Sequence, residues 1–265
     1  MAPHDPSSPP IFFVHVMKTG GTTLFRNLRA NYELDQLYPY RKLDIQFDGP
    51  KVDVQHHLSV PYLVGLGPER HERIRVYTGH FPLVAADLLR RKLTTVTLLR
   101  DPIERTISLL RQFMRKAPWL DPTPGPTLES STLDEIYEQA IVFEPLIHNH
   151  QTKIFSMRPS DDPQSYMDVI DVDHERLQLA KQNLAGIDVL GLTERYDEFL
   201  DDLHAWFGWD VERDARANAT PASEIQPVSD ALRRRIAEDN AIDLELYAYA
   251  QQLQRQRDPR KPTAD

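Results

Sequence analysis

The stretch IFFVHVMKTGGTTLFRNL, residues 11–28, constrains this chain more than any other. Ile11 to Val16 is a short, largely apolar run of β-branched and aromatic residues, as expected of a strand buried on both faces. Two adjacent glycines then turn the chain. Beyond them Leu24, Phe25, Leu28 and Tyr32 recur at helical spacing, with Arg26 and Arg29 on the polar side. A strand that passes through glycines into a helix aims free backbone N–H groups and the positive end of the helix dipole at one point. Gly20 and Gly21 let an anion approach the backbone, Thr19, Thr22 and Thr23 add hydroxyl donors, and Lys18 supplies a mobile positive charge. Taken alone, KTGGTT is described as well by an ordinary strand–turn–helix corner with a solvated lysine.

Further along, strands and helices alternate. RIRVYTGHF gives a second strand ending near Gly79, and KLTTVTLL (Lys92 to Leu99) a third. The third runs into RDPIERTISLLRQFMRK, where Asp101 caps a helix, Pro102 takes its first position, and Ile103, Ile107, Leu110 and Met114 form its buried stripe. After the proline-rich segment Ala117 to Ser131, TLDEIYEQAIVF and DHERLQLAKQNLAG read as helices, IDVLGL as a strand and RYDEFLDDLHAWFGW as an amphipathic helix. A long helical region follows over SDALRRRIAEDNAIDLELYAYAQQLQRQ. Such alternation argues for an α/β fold with a central, mostly parallel sheet flanked by helices. No internal repeat or clean linker divides the chain. The expected organisation is a flexible leader over 1–10, one domain over 11–257 and a flexible tail over 258–265.

The order of the residues in the loop matters. The nucleotide-triphosphatase pattern G-x-x-x-x-G-K-[ST] is not met, because Lys18 precedes the glycines. An acidic magnesium ligand at a strand end, which phosphoryl transfer from ATP would want, is not evident either. Asp101 is the nearest candidate and makes a better helix cap. A sulfuryl group carries less negative charge than a phosphoryl group, so lysine, backbone N–H groups and histidine can serve its transfer without a metal.

Two other positions complete the pattern. Arg100 stands at the C-terminal end of its strand, where open α/β sheets bind ligands, and Ser108 lies two turns into the next helix. Together they suit a second, separate phosphate, although a salt bridge and a solvated serine would explain each alone. His80, in YTGHFPL, follows a strand and a glycine at the same sheet edge. It is a candidate general base, whereas a lone histidine is more often a packed or surface residue. The HNH at His148 to His150 is discounted as a metal signal, since alternate residues on a helix point apart.

FFVHVMKTGGTTL, YTGHFPL, LLRDPIERTISLLRQF, HNHQTKIFS and VLGLTERYDEFL occur in the order found in sulfotransferases that use 3'-phosphoadenosine 5'-phosphosulfate. The chain resembles the branch containing heparan sulfate 2-O- and 6-O-sulfotransferases and their bacterial relatives, over roughly residues 11–253. The resemblance implies a P-loop-like, three-layer fold. It places Lys18 through Thr23 at the 5'-phosphosulfate, with Lys18 also stabilising the bridging oxygen. It places Arg100 and Ser108 at the 3'-phosphate and His80 as the general base of an in-line, metal-free transfer to a hydroxyl, most simply of a carbohydrate or glycoconjugate. Asn149, Gln151 and Lys153 match a segment lining the cleft. A chain expected to have no membrane anchor, and with no cysteine, departs from the Golgi members, so the glycosaminoglycan acceptors of the branch are not carried over; the acceptor-facing regions around 40–70 and 117–131 match nothing recognisable. A degenerate P-loop kinase, or a nucleotide-binding protein of the same fold without catalysis, are the alternatives.

Composition narrows the setting. A formal charge of −9 over 265 residues gives no general pull toward nucleic acid or anionic membrane. With no cysteine, disulfides and thiol catalysis are excluded. MAPHDPSSPP lacks the basic and apolar regions of a signal peptide, and no apolar run is long enough to span a bilayer. A cytoplasmic protein is expected. The sequence carries no signal for its oligomeric state.

Overall fold

The computed structural model describes residues 8–40, 55–115, 132–213 and 227–256. The proline-rich segment 117–131, the tail 258–265, most of the leader and residues 41–54 lie outside the described residues. Five parallel strands form one sheet in the order β2-β3-β1-β4-β5. They are β1 (Ile11–Val14), β2 (Leu37–Tyr38), β3 (Val76–Tyr77), β4 (Thr94–Leu99) and β5 (Val189–Leu192). Strand β2 is a two-residue edge with no pattern to betray it, and the sequence reading passes over it.

Alternation along each strand sorts the side chains into two cores. Ile11, Phe13, Val96 and Leu98 pack with Leu24 and Leu28 of helix α1 (Gly21–Asn31). Phe12, Val14 and Leu99 face the other way, onto Ile107, Leu110 and Phe113 of α2 (Pro102–Arg115). That second face is completed by α3 (His150–Ser156), α4 (His174–Ala185), α6 (Asp230–Asp239) and α7 (Ala241–Gln256), while α5 (Tyr196–Phe207) joins the first. The result is the three-layer α/β fold expected from the sequence. Within α2 the stripe sits slightly off its predicted line: Ile107 and Leu110 are buried, but Leu109 and Phe113 are buried with them, and Ile103 and Met114 are only partly covered.

Neighbouring strands β1 and β4 send their helices to opposite faces. This opens a crevice at their C-terminal ends, the usual ligand position in open α/β sheets. As expected, Asp101 caps α2, its Oδ1 accepting from the N–H groups of Ile103 and Glu104 at 3.0 Å each, and Pro102 opens the helix.

One helix expectation is corrected and another is subdivided. The segment 132–143 divides into Leu133–Tyr137 and Ala140–Val142, and runs on into a π-helical turn at Phe143–Ile147. Pro145 has no N–H to give a continuing α-helix. The C-terminal region breaks at Asn240, whose side-chain amide donates to Ile236 O and whose side-chain oxygen accepts from Asn149 N. Asparagine thereby closes one helix and holds a distant loop.

Asp243, fully buried on α7, accepts from Gln151 N, Thr152 N and Thr152 Oγ1 at 2.7–2.9 Å. Burial pushes its carboxyl up, against the pull of the Arg105 guanidinium and these donors. Asp243→Ala would leave Arg105 buried beside no counter-charge and three donors unpaired. The expected cost is about 3–5 kcal/mol, read as a drop in melting temperature of order 10 °C. A shift under about 2 °C would show that the carboxylate does not organise this region.

Candidate functional site

The loop after β1 reverses sharply. Lys18 holds a left-handed conformation (φ 71°) and Gly20 another (φ 102°). A left-handed lysine is strained by roughly 1–2 kcal/mol and persists only where the surroundings impose it. Those surroundings can be named. Arg100 Nη1 donates to the Lys18 carbonyl at 3.2 Å, and Lys18 Nζ donates to Gln112 Oε1 at 2.7 Å. Met17 N–H, one residue earlier, donates to the Tyr166 hydroxyl at 2.8 Å. The hydroxyl of Thr19, fully buried, donates to Val16 O at 2.8 Å and closes the turn from inside. Its proton is thereby committed to the backbone.

The two glycines have different reasons. At Gly20 the positive φ excludes most side chains, and a Cβ would also meet the Tyr196 ring at 3.1 Å. At Gly21 a Cβ would stand 1.8 Å from His15 Nε2, so an imidazole occupies the space a side chain would take. The first N–H groups of α1, including those of Gly21 and Thr22, have no carbonyl one turn back to accept them. Thr23 is buried just behind, at the start of α1.

Arg100 leaves β4 with its backbone gripped by Gln151, whose side chain accepts from Arg100 N at 3.2 Å and donates to Arg100 O at 2.9 Å. Thr193, at the end of β5, shares its hydroxyl between Thr19 O at 2.8 Å and Leu99 O at 3.0 Å. The structure thus brings Arg100 against the Lys18 loop. Ser108 joins by register: it lies one turn before Gln112 on the same face of α2, partly exposed. Asn149, Gln151 and Lys153 are all buried. Lys153 Nζ donates to the carbonyls of Pro145, Tyr166 and Asp168 at 2.7–3.0 Å. Burial pulls its ammonium down to about 7, partly offset by Asp168.

His80 reaches the same edge from β3. Its Nδ1 lies 2.9 Å from the carbonyl oxygen of His15, and its ring packs between His15 (4.1 Å between centroids) and Tyr166 (5.2 Å). A carbonyl only accepts, so Nδ1 carries the hydrogen and Nε2 holds the lone pair. Burial pulls the imidazole down to about 4, the bond to His15 opposing and His57 reinforcing the shift. At neutral pH His80 is uncharged, with Nε2 able to accept a proton. His150 and His148 have different surroundings, though not through alternation on one helix, because the chain turns at left-handed Asn149 (φ 43°): His150 is buried between Pro145 O and Tyr166, and His148 stacks on Phe143.

Tyr166 escapes the sequence reading entirely. Its hydroxyl accepts from Met17 N–H and donates to His150 Nε2 at 2.5 Å, while its ring flanks His80. No local pattern in PQSYMD signals a partner 149 residues away. Tyr166→Phe should orphan the Met17 N–H at a cost of about 1–3 kcal/mol. Amide exchange around Met17 and Lys18 should accelerate by about tenfold or more while the sheet stays protected. Unchanged exchange there would mean the hydroxyl does not hold the loop.

Fold and site together define an α/β protein in which a glycine turn carrying Lys18, the Arg100 side chain and the His80 imidazole gather at one sheet edge. Relatives place the likeness more closely. Human heparan-sulfate 6-O-sulfotransferase 1 is 29% identical, matched over 93% of this chain and 66% of its own length. Mouse heparan-sulfate 6-O-sulfotransferase 3 is 27% identical over 93% of this chain and 58% of its own, and the zebrafish 6-O-sulfotransferase 2 matches at the same levels. These relatives support the resemblance read from the five motifs, to sulfotransferases of the heparan-sulfate branch. The chain spans about two thirds or less of their length. No family model matches it.

Proposed function

We propose that this protein is a sulfotransferase that moves a sulfuryl group from 3'-phosphoadenosine 5'-phosphosulfate to an acceptor hydroxyl, carried by a carbohydrate or glycoconjugate. The observation that carries the reading is the tie between loop, arginine and base at three neighbouring strand ends: Arg100 on the Lys18 carbonyl, and His80 on the His15 carbonyl. The relatives add to it.

In this reading the acceptor oxygen attacks sulfur, the bond from sulfur to the bridging phosphate oxygen breaks, and the acceptor proton passes to His80 Nε2. Lys18 and the N–H groups at the start of α1 hold the 5'-phosphosulfate, and Lys18 meets the charge that builds on the bridging oxygen. Thr19, Gly20, Gly21, Thr22 and Thr23 shape that loop, with Thr19 contributing through its backbone. Arg100 and Ser108 take the 3'-phosphate. The residues fit such a donor: a lysine and a helix N-terminus suit the phosphosulfate, and an arginine on the neighbouring strand end suits a second phosphate. No protein metal ligand is assigned a part. A cytoplasmic location goes with the proposal, and cell fractionation tests it. The direct test is calorimetry with 3'-phosphoadenosine 5'-phosphate, followed by transfer of labelled sulfate to a panel of hydroxyl acceptors. Saturable binding and a labelled product are expected; failure of both would refute the reading.

A further inference from the structure

Between α1 and the β1–β3 edge lies a cavity of about 260 Å³. Its wall includes Gly21, the last glycine of the anion loop, and His80, the uncharged imidazole. A group seated there is therefore flanked by both halves of the reaction site. The rest of the wall is contributed by Phe13, Phe25 and Leu28, with Thr78 and the rings of His15 and His57. Phe13 and Leu28 belong to the core on this face of the sheet, so this side of the cavity is rigid. Phe25 is only partly buried and stands at its edge.

We propose that this cavity holds one uncharged ring of the acceptor, the ring bearing the hydroxyl to be sulfated. The inference rests on the sulfotransferase reading and deepens it by naming the acceptor class. Size is one ground: the volume falls below the ~300–1,000 Å³ of pockets that enclose drug-sized ligands, so it suits a single ring. Charge is the other. No lysine, arginine or carboxylate lines the cavity among the described residues. His15 and His80 are both held below the ordinary histidine range by burial, each ring further disfavoured by a neighbouring imidazole, so neither offers a standing positive charge at neutral pH. The chain as a whole is at −9, which repels a densely anionic polymer. An apolar and aromatic wall with a few polar edges recognises the C–H faces of a neutral ring and leaves its hydroxyls to the imidazoles and Thr78. The preferred acceptor is thus a neutral glycoside and not a sulfated polyanion.

The test uses the whole chain, labelled donor, a panel of neutral methyl glycosides and an N-sulfated heparin-derived tetrasaccharide. The best neutral glycoside should exceed the polyanion in kcat/KM by about tenfold or more, a difference of about 1.4 kcal/mol. Its KM should change by less than about twofold when salt rises from ~20 to ~300 mM, since no charge pair would be screened. Phe25→Arg, at the partly exposed edge, should lower kcat/KM for the neutral glycoside by about tenfold. The same variant should bind 3'-phosphoadenosine 5'-phosphate within about twofold of the parent, because the arginine adds no contact in the donor loop. Preference for the tetrasaccharide, or a strongly salt-dependent KM, would overturn this inference while leaving the sulfotransferase reading intact. Absence of 3'-phosphoadenosine 5'-phosphate binding together with no sulfated product would bring down both.

Discussion

Lys18→Ala is expected to lower kcat by about 10²–10³-fold, the loss seen when one preorganised donor to a developing oxyanion is removed. The fold should survive, because the lysine side chain lies partly in solvent and its ammonium donates to Gln112 Oε1, a group outside the hydrophobic core. The left-handed backbone supplies a control that activity alone cannot. Lys18→Gly removes the same ammonium but accepts φ 71° without strain. It should melt no lower than Lys18→Ala and be as inactive. If Lys18→Ala retained more than about a tenth of kcat, the ammonium would have no role in the chemistry; if the glycine variant were less stable than the alanine one, the strain assigned to Lys18 would be wrong. Arginine at 18 should not rescue, since its planar fork does not replace a compact ammonium on a flexible stem.

His80→Asn should cost about 10²–10⁴-fold in kcat, the usual contribution of a positioned general base, with 3'-phosphoadenosine 5'-phosphate binding within about twofold of the parent. Unchanged turnover would remove His80 from the mechanism. The pH profile is more diagnostic than the loss. The active form is the neutral imidazole, and burial holds that form down to about pH 4. Donor kcat/KM, which reports the free protein, should therefore stay level as pH falls through 6.5, where an ordinary histidine would already be charged. The dianionic donor beside His80 favours the imidazolium, so the acid limb of kcat should lie at higher pH than that of kcat/KM. Coincident limbs near pH 6.5 would contradict the burial on which this expectation stands.

What the sequence made legible is local. The apolar strand, the Asp101 cap, Pro102 and the alternation of strands and helices each follow from neighbouring residues, and the structure has them where their chemistry put them. The glycines of the loop were recognisable, but the reason for the second was not. Gly21 is required by the ring of His15, six residues away and folded back across the turn. Gln112, Tyr166 and Thr193 were hidden because each meets the loop through the tertiary fold, with nothing in its own neighbourhood to mark it. Asn149, Gln151 and Lys153 show what tertiary contacts add to a motif. Polar residues in a family motif invite assignment to a cleft, yet here each spends its hydrogen bonds holding other elements in place.

The single hydroxyl of Thr193 spans the carbonyls of Thr19 and Leu99. With Arg100 fastened to the Lys18 carbonyl, the ends of β1, β4 and β5 are pinned as one piece. A caliper set this way cannot adjust its jaws to the object. In the sulfotransferase reading the distance between the two phosphate seats is a property of the protein before any donor arrives, and a nucleotide with its second phosphate at the wrong carbon meets a gap already cut to another length.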